Sequence, residues 1–191
     1  NGVNWKKYNT RSALYTDINF PNLSTGFICG SGGTIIKSSD GGETWKDIAP
    51  ANSTQNYSGI YFLDNYTGYV AGGPKLLKTT NSGFSWSEIS VTEDKSYSKV
   101  FFLNYMTGWV AGSAGAIAKT TNGGTTWVPQ NTPTSKSIFY IKFINERLGW
   151  ASGDDGTILK TTNGGNTWSL GSSTFGDEVS RIFINDSLNL W

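Results

Sequence analysis

The octapeptide Thr120-Thr121-Asn122-Gly123-Gly124-Thr125-Thr126-Trp127 decides how this sequence folds, because it returns in register three more times. The other copies are Ser38-Ser39-Asp40-Gly41-Gly42-Glu43-Thr44-Trp45, Thr79-Thr80-Asn81-Ser82-Gly83-Phe84-Ser85-Trp86 and Thr161-Thr162-Asn163-Gly164-Gly165-Asn166-Thr167-Trp168. A truncated copy, Gly2-Val3-Asn4-Trp5, opens the chain, so tryptophans stand at 5, 45, 86, 127 and 168, in steps of 40, 41, 41 and 41. A fixed period of this length marks a repeat architecture. The octapeptide itself reads as a tight turn. Its Asx side chain (Asp40, Asn81, Asn122, Asn163) can accept from backbone amides two residues on, while Gly42, Gly83, Gly124 and Gly165 supply a positive φ. Hydroxyls of Thr44, Ser85, Thr126 and Thr167 can bond across the turn, and Trp45, Trp86, Trp127 and Trp168 carry apolar area into a sheet interface.

Outward from the turn, each unit holds three more short runs. In one unit these are Ile60-Tyr61-Phe62-Leu63, Gly68-Tyr69-Val70-Ala71-Gly72 and Lys75-Leu76-Leu77-Lys78-Thr79. Runs of four to six residues rich in Ile, Val, Phe, Tyr and Thr, split by Gly and Asn, are strand and turn signals, and no stretch keeps helical spacing. Four strands in a unit of this length make one propeller blade. The expectation is therefore an all-β propeller of four-stranded blades. Its units are 18–58, 59–98, 99–139 and 140–179, with partial units at 1–17 and 180–191. The second run recurs as Gly26-Phe27-Ile28-Cys29-Gly30, Gly108-Trp109-Val110-Ala111-Gly112 and Gly149-Trp150-Ala151-Ser152-Gly153, and its single aromatic is expected to fill the space between blades. The phase at both ends suits an arc of a seven- or eight-bladed ring, since an open fragment exposes sheet edges.

Composition narrows the function classes. Apolar residues make up 37% of the 191 residues, enough for a folded core. A net charge of +1 gives no broad cationic field, which excludes non-specific nucleic-acid binding. Apolar runs are too short to span a bilayer as helices. With no histidine and the single Cys29, the usual zinc and imidazole chemistries have no ligands, and Cys29 reads as a buried structural thiol. No metal and no cofactor is expected.

These repeats resemble those of the Asp-box propellers, whose motif Ser/Thr-x-Asp/Asn-x-Gly-x-Ser/Thr-Trp is met in full four times. The wider unit from Thr107 to Trp127 is most similar to the photosystem II assembly and stability factor branch, and more distantly to sialidases, xyloglucanases and sortilin. The resemblance implies that the box residues are structural, at the blade periphery. In that branch the partner is engaged through an arginine-rich patch. Only Arg11, Arg147 and Arg181 occur here, at no common repeat position, so the resemblance does not carry that partner over. The same scarcity speaks against the arginine triad of a sialidase.

Two function classes compete on the remaining residues. A glycoside hydrolase needs two opposed carboxylates, and Asp17, Asp64, Asp154, Asp155, Asp177 and Glu178 are available. A binding scaffold instead uses the segments that vary between units, from each box to the next blade. There the candidates are Tyr57, Lys95, Tyr97, Lys136 and Phe175, read either as exposed aromatics beside charge or, for the aromatics, as rings tucked into the neighbouring blade. Lysine also recurs before each box, at Lys37, Lys78, Lys119 and Lys160: either an anion-binding ring or stems laid on apolar surface. The expectation is a non-catalytic, extracytoplasmic scaffold (secreted, periplasmic or on the cell surface) with a protein or glycan partner; a polysaccharide-active hydrolase is the alternative.

Overall fold

The computed structural model describes residues 13–91, 95–171 and 179. These residues build four sheets, each of four antiparallel strands in sequence order, which are the blades of a propeller. The first blade is β1 (Tyr15–Asn19), β2 (Gly26–Gly30), β3 (Ile35–Ser38) and β4 (Lys46–Asp47), and the second is β5 (Gly59–Phe62), β6 (Gly68–Ala71), β7 (Lys75–Thr79) and β8 (Ser87–Ser90). The third is β9 (Tyr97–Phe102), β10 (Gly108–Gly112), β11 (Ile117–Thr120) and β12 (Val128–Gln130). The fourth is β13 (Ile138–Phe143), β14 (Gly149–Gly153), β15 (Ile158–Thr161) and β16 (Ser169–Leu170). Strands β1, β9 and β13 begin ahead of the unit boundaries expected at 18, 99 and 140; in β9 and β13 the first residue, Tyr97 or Ile138, already packs as part of the new blade.

First strands lie innermost and meet across blades. The amide of Ile60 donates to Asp17 Oδ2 at 3.0 Å, that of Phe62 to Asn19 Oδ1 at 3.0 Å, and Ser98 Oγ to the Ile138 carbonyl at 3.1 Å. Second strands are buried on both faces, as β10 shows: Val110 packs with Tyr69 and Ala71 of the preceding blade, and Trp109 and Ala111 with Ile141 and Phe143 of the next. Fourth strands are short and largely exposed.

The expected filling of the space between blades is seen as a repeated aromatic stack. Phe27 lies on Phe62, Tyr69 on Phe102 and Trp109 on Phe143, with ring centroids 3.4, 4.0 and 3.6 Å apart. The box tryptophan then meets the same phenylalanine edge-on, as Trp86, Trp127 and Trp168. Glycine at the start of the second strand makes the stack possible. A Cβ on Gly108 would sit 2.6 Å from Phe102 Cδ1, so any larger residue would displace the ring.

Candidate functional site

One hydrogen-bond network holds every box turn. Its opening hydroxyl is buried, with Ser38, Thr79, Thr120 and Thr161 at 1%, 2%, 1% and 2% exposure. Thr120 Oγ1 accepts from the amides of Asn122 (3.3 Å) and Gly124 (2.9 Å) and donates to Asn122 Oδ1 (3.0 Å). Asn122 Oδ1 accepts from the amide of Thr126 at 2.9 Å, and Asn122 Nδ2 donates to Thr126 Oγ1 at 2.8 Å. The Asx side chain therefore reaches the amide four residues on, not two as the sequence suggested. The reason is the left-handed pair Gly123 (φ 66°) and Gly124 (φ 80°), which coils the chain back and leaves the nearer amides to the Thr120 hydroxyl. In the first blade Asp40 plays the Asx role, and the Thr44 hydroxyl holds its carboxyl down to about 2.

Two of the recurrent lysines, Lys37 and Lys78, clamp neighbouring blades, and all four lie over a ring. Lys37, Lys78, Lys119 and Lys160 each place Nζ 5.2 to 5.8 Å from the ring centre of the second-strand aromatic in their own blade. Lys37 Nζ then donates to Ser82 Oγ, and Lys78 Nζ to the Gly123 carbonyl at 2.7 Å, both in the next blade's box. Tyr69 Oη reaches the same Gly123 carbonyl at 2.9 Å, and Trp109 Nε1 the equivalent Gly164 carbonyl at 3.3 Å. The ammonium heads of Lys37 and Lys78 are engaged in this way and are structural, so these two do not contribute to an anion ring.

The candidates from the variable segments separate. Tyr57 and Tyr97, candidates for an exposed surface, are buried at 4% and 1%. Both open a new blade against the one before: the Tyr57 amide donates to the Gly30 carbonyl, Tyr97 exchanges backbone bonds with Gly73, and their rings join the inter-blade cores. Lys95 is half-buried, and Lys136 is exposed in an ion pair with Asp155 at 2.5 Å. Phe175, with Asp177 and Glu178, lies outside the described residues.

Three of the candidate acids, Asp17, Asp64 and Asp155, are engaged as well. Asp17 is 7% exposed, accepts from Ile60 and pairs with Lys99 at 2.5 Å across a groove of about 330 Å3 lined by the first strands of all four blades. Asp64 accepts from the amides of Tyr66 and Thr67 in the turn between β5 and β6, and Asp155 pairs with Lys136. Among the described residues no group of three His, Cys, Asp or Glu side chains gathers as a metal site. Cys29 is buried, and desolvation pushes its thiol up to about 12.

The sequence reading missed a surface at the box end of the blades. Here the first-to-second-strand turns sit beside the box turns, tied by bonds such as Ser82 amide to Tyr66 carbonyl and Gly123 amide to Met106 carbonyl. Leu23, Tyr66, Tyr105 and Met106 project from consecutive turns with 98%, 62%, 56% and 55% exposure, and Phe84 in the second box with 92%. Neighbouring turns are joined laterally, Asn22 to Asn65 and Tyr105 Oη to Asp64 Oδ2 (2.8 Å), so the row is continuous across three blades. A contiguous row of large exposed apolar side chains rimmed by Asn and Asp is a docking feature. The signal was available: these turns keep their Asx residue (Asn22, Asp64, Asn104, Asn145), while the two residues after it change from blade to blade.

Solved structures share this architecture. A structure of YCF48 bound to a D1 peptide matches with a TM-score of 0.55 at 18% identity, covering 92% of this chain and 87% of that one. YCF48 from Cyanidioschyzon merolae matches with a TM-score of 0.73 at 23% identity, covering 92% of this chain and 61% of that one. An ancestral GH74 enzyme matches with a TM-score of 0.71 at 19% identity, over 85% of this chain but 24% of the enzyme. At these identities the likeness shows the fold. No curated protein matches the sequence. The family described as photosynthesis system II assembly factor YCF48 matches over residues 2–130 and 89–172, and the chain belongs to that family.

Proposed function

We propose that this chain is a non-catalytic assembly propeller working outside the cytoplasm, and that it holds a segment of a partner protein against the row Leu23, Tyr66, Tyr105 and Met106. The observation that carries this reading is the row itself: four large side chains, each more than half exposed, on turns pinned by Asx bonds and cross-linked between blades. Rigid aromatics on a preorganised scaffold lose little entropy when a partner lands on them. Family membership supports an assembly role, and a relative is seen with a D1 peptide bound. Recognition here would be aromatic, since the arginine-rich patch of the resembling branch has no counterpart. Lys95 and Lys136, at the other end of the blades, are the secondary candidates. The extracytoplasmic placement rests on the Asn- and Ser-rich composition.

The test is fluorescence-anisotropy titration of a labelled D1 peptide, with Tyr66→Ala/Tyr105→Ala as the variant and Lys136→Ala as the control from the opposite end. A glycan partner is the second reading, favoured by tyrosine rings lying beside Asn side chains; glycan-array binding lost in the same double variant would select it. Release of reducing ends from xyloglucan, abolished by one carboxylate substitution, would overturn the non-catalytic reading.

A further inference from the structure

Each blade ends on its fourth strand, whose backbone forms the outer edge of the sheet. Open edges invite an added strand, and proteins blunt them with short length, proline or cover. Three of the four edges here are blunted. β4 has two residues, and the Asp47 carboxylate accepts from the Ala49 amide at 3.0 Å, occupying the next donor along that edge. β12 carries Pro129, which has no amide to offer, and β16 has two residues.

The second blade differs. β8 runs four residues, Ser87-Glu88-Ile89-Ser90, without proline, and all but Ile89 are exposed. Register shows which of its groups face outward. The Ile48 amide donates to the Ile35 carbonyl at 2.9 Å and the Gly171 amide to the Ile158 carbonyl at 2.7 Å, and Ile89 and Leu76 are the matching pair in the second blade. Antiparallel pairing alternates, so Glu88 and Ser90 turn their amides and carbonyls away from β7. The one charge on the strand is balanced inside the blade, where Glu88 pairs with Lys75 at 2.5 Å. Val91 is buried in the inter-blade core at 6% exposure, so the chain leaves the edge inward. Among the described residues no strand pairs with this edge.

A groove of about 380 Å3 lies beside the strand, with Glu88, Ile89 and Ser90 on one side and Gly124 and Thr125 of the next box on the other. The second box leads into β8, and its Phe84 projects at 92% exposure from the box-end surface. A segment lying on that surface can therefore continue along β8.

We propose that β8 receives an extended, proline-free segment of the partner protein as a fifth strand of the second blade. This rests on the reading of the box-end row as that partner's site and adds a main-chain contact to it. Backbone bonds to Glu88 and Ser90 supply affinity, and alternate side chains of the segment fall toward Ile89 and Thr125, which suits aliphatic residues at every second position. A second copy of this chain is a poorer occupant, because two four-residue edges bury far less than the roughly 1,000 Å2 that a stable interface needs.

Glu88→Pro tests this on the whole chain, since Pro129 holds the same position in the third blade and the fold accepts it there. It removes one outward amide, whereas Glu88→Gln removes only the charge. Two labelled probes are titrated by fluorescence anisotropy: the D1 peptide, which reports row and edge together, and a peptide of alternating threonine and valine, which reports the edge alone. Both should bind wild type and Glu88→Gln alike and Glu88→Pro at least tenfold more weakly, and hydrogen exchange at residues 87–90 should slow when either is bound. Tyr66→Ala/Tyr105→Ala should weaken only the D1 peptide. Undiminished D1 binding by Glu88→Pro would overturn the edge and leave the row standing. No D1 binding by the wild type, with the threonine-valine peptide bound and then lost in Glu88→Pro, would overturn the row and leave the edge standing. A wild type that binds neither peptide, or unslowed exchange at 87–90, would overturn the proposal. Melting temperature checks folding, and Ser90→Pro, which removes the other outward amide, repeats the test should Glu88→Pro unfold.

Discussion

Trp109 of the third blade lies flat on Phe143 of the fourth, ring centroids 3.6 Å apart and planes 11° from parallel, while Trp168 meets the same ring edge-on. Both tryptophans and the phenylalanine belong to one apolar cluster. Truncating a fully buried aromatic removes its transfer energy and leaves a cavity, so Phe143→Ala should destabilise the chain by about 3–5 kcal/mol in urea denaturation. Trp45→Ala should cost clearly less than Trp127→Ala, because Trp45 is only half-buried and Trp127 is 2% exposed.

Lys78 bridges two blades through the Tyr69 ring and the Gly123 carbonyl. Replacing it with Met keeps the apolar stem and removes the charged donor. The expected loss is about 1–2 kcal/mol, the size of a charge-assisted hydrogen bond. Lys75→Met, which removes only an exposed pair with Glu88 within the second blade, should leave the unfolding free energy nearly unchanged. Equal losses from the two variants would refute the clamp.

Thr120 Oγ1 is the only hydroxyl that serves both Asn122 and Gly124 amides, inside a site 1% exposed. Thr120→Val preserves shape and strands both donors. A loss of about 2–4 kcal/mol is expected, with Thr120→Ser close to wild type, measured by chemical denaturation.

Asp40 gives the first box an acid dependence that the Asn boxes lack. Its folded carboxyl titrates at about 2, below the ordinary 3.8, so its contribution to stability is present above pH 4 and fades as pH falls toward 2. Thermal melts of the wild type and Asp40→Asn should therefore converge or cross as pH drops from 4 to 2. A constant gap over that window would contradict the assignment.

The fold was legible because its signal repeats: one octapeptide fixed four turns in register, and the Gly-aromatic run marked each second strand. The detail of the turn was not, since the sequence does not show that two left-handed glycines swing the Thr126 amide back onto Asn122. Tyr57 and Tyr97 sit in segments of variable sequence, which left surface and inter-blade packing open, and their burial selects the second. Their counterparts Tyr15 and Ile138, at the same phase, carry the clue that this position opens a strand and packs inward. The lysines were ambiguous in sequence, because an ammonium over a ring and one in solvent have the same spacing. Leu23, Tyr66, Tyr105 and Met106 form a row only after the turns are stacked side by side, which no single repeat reveals.

The claim that this propeller works by protein docking at its box-end row meets its most direct test in anisotropy titration of a labelled D1 peptide. The wild type and Lys136→Ala should bind it alike, and Tyr66→Ala/Tyr105→Ala should bind at least tenfold more weakly with an unchanged melting temperature. No binding by the wild type, or equal binding by the double variant, would contradict the account.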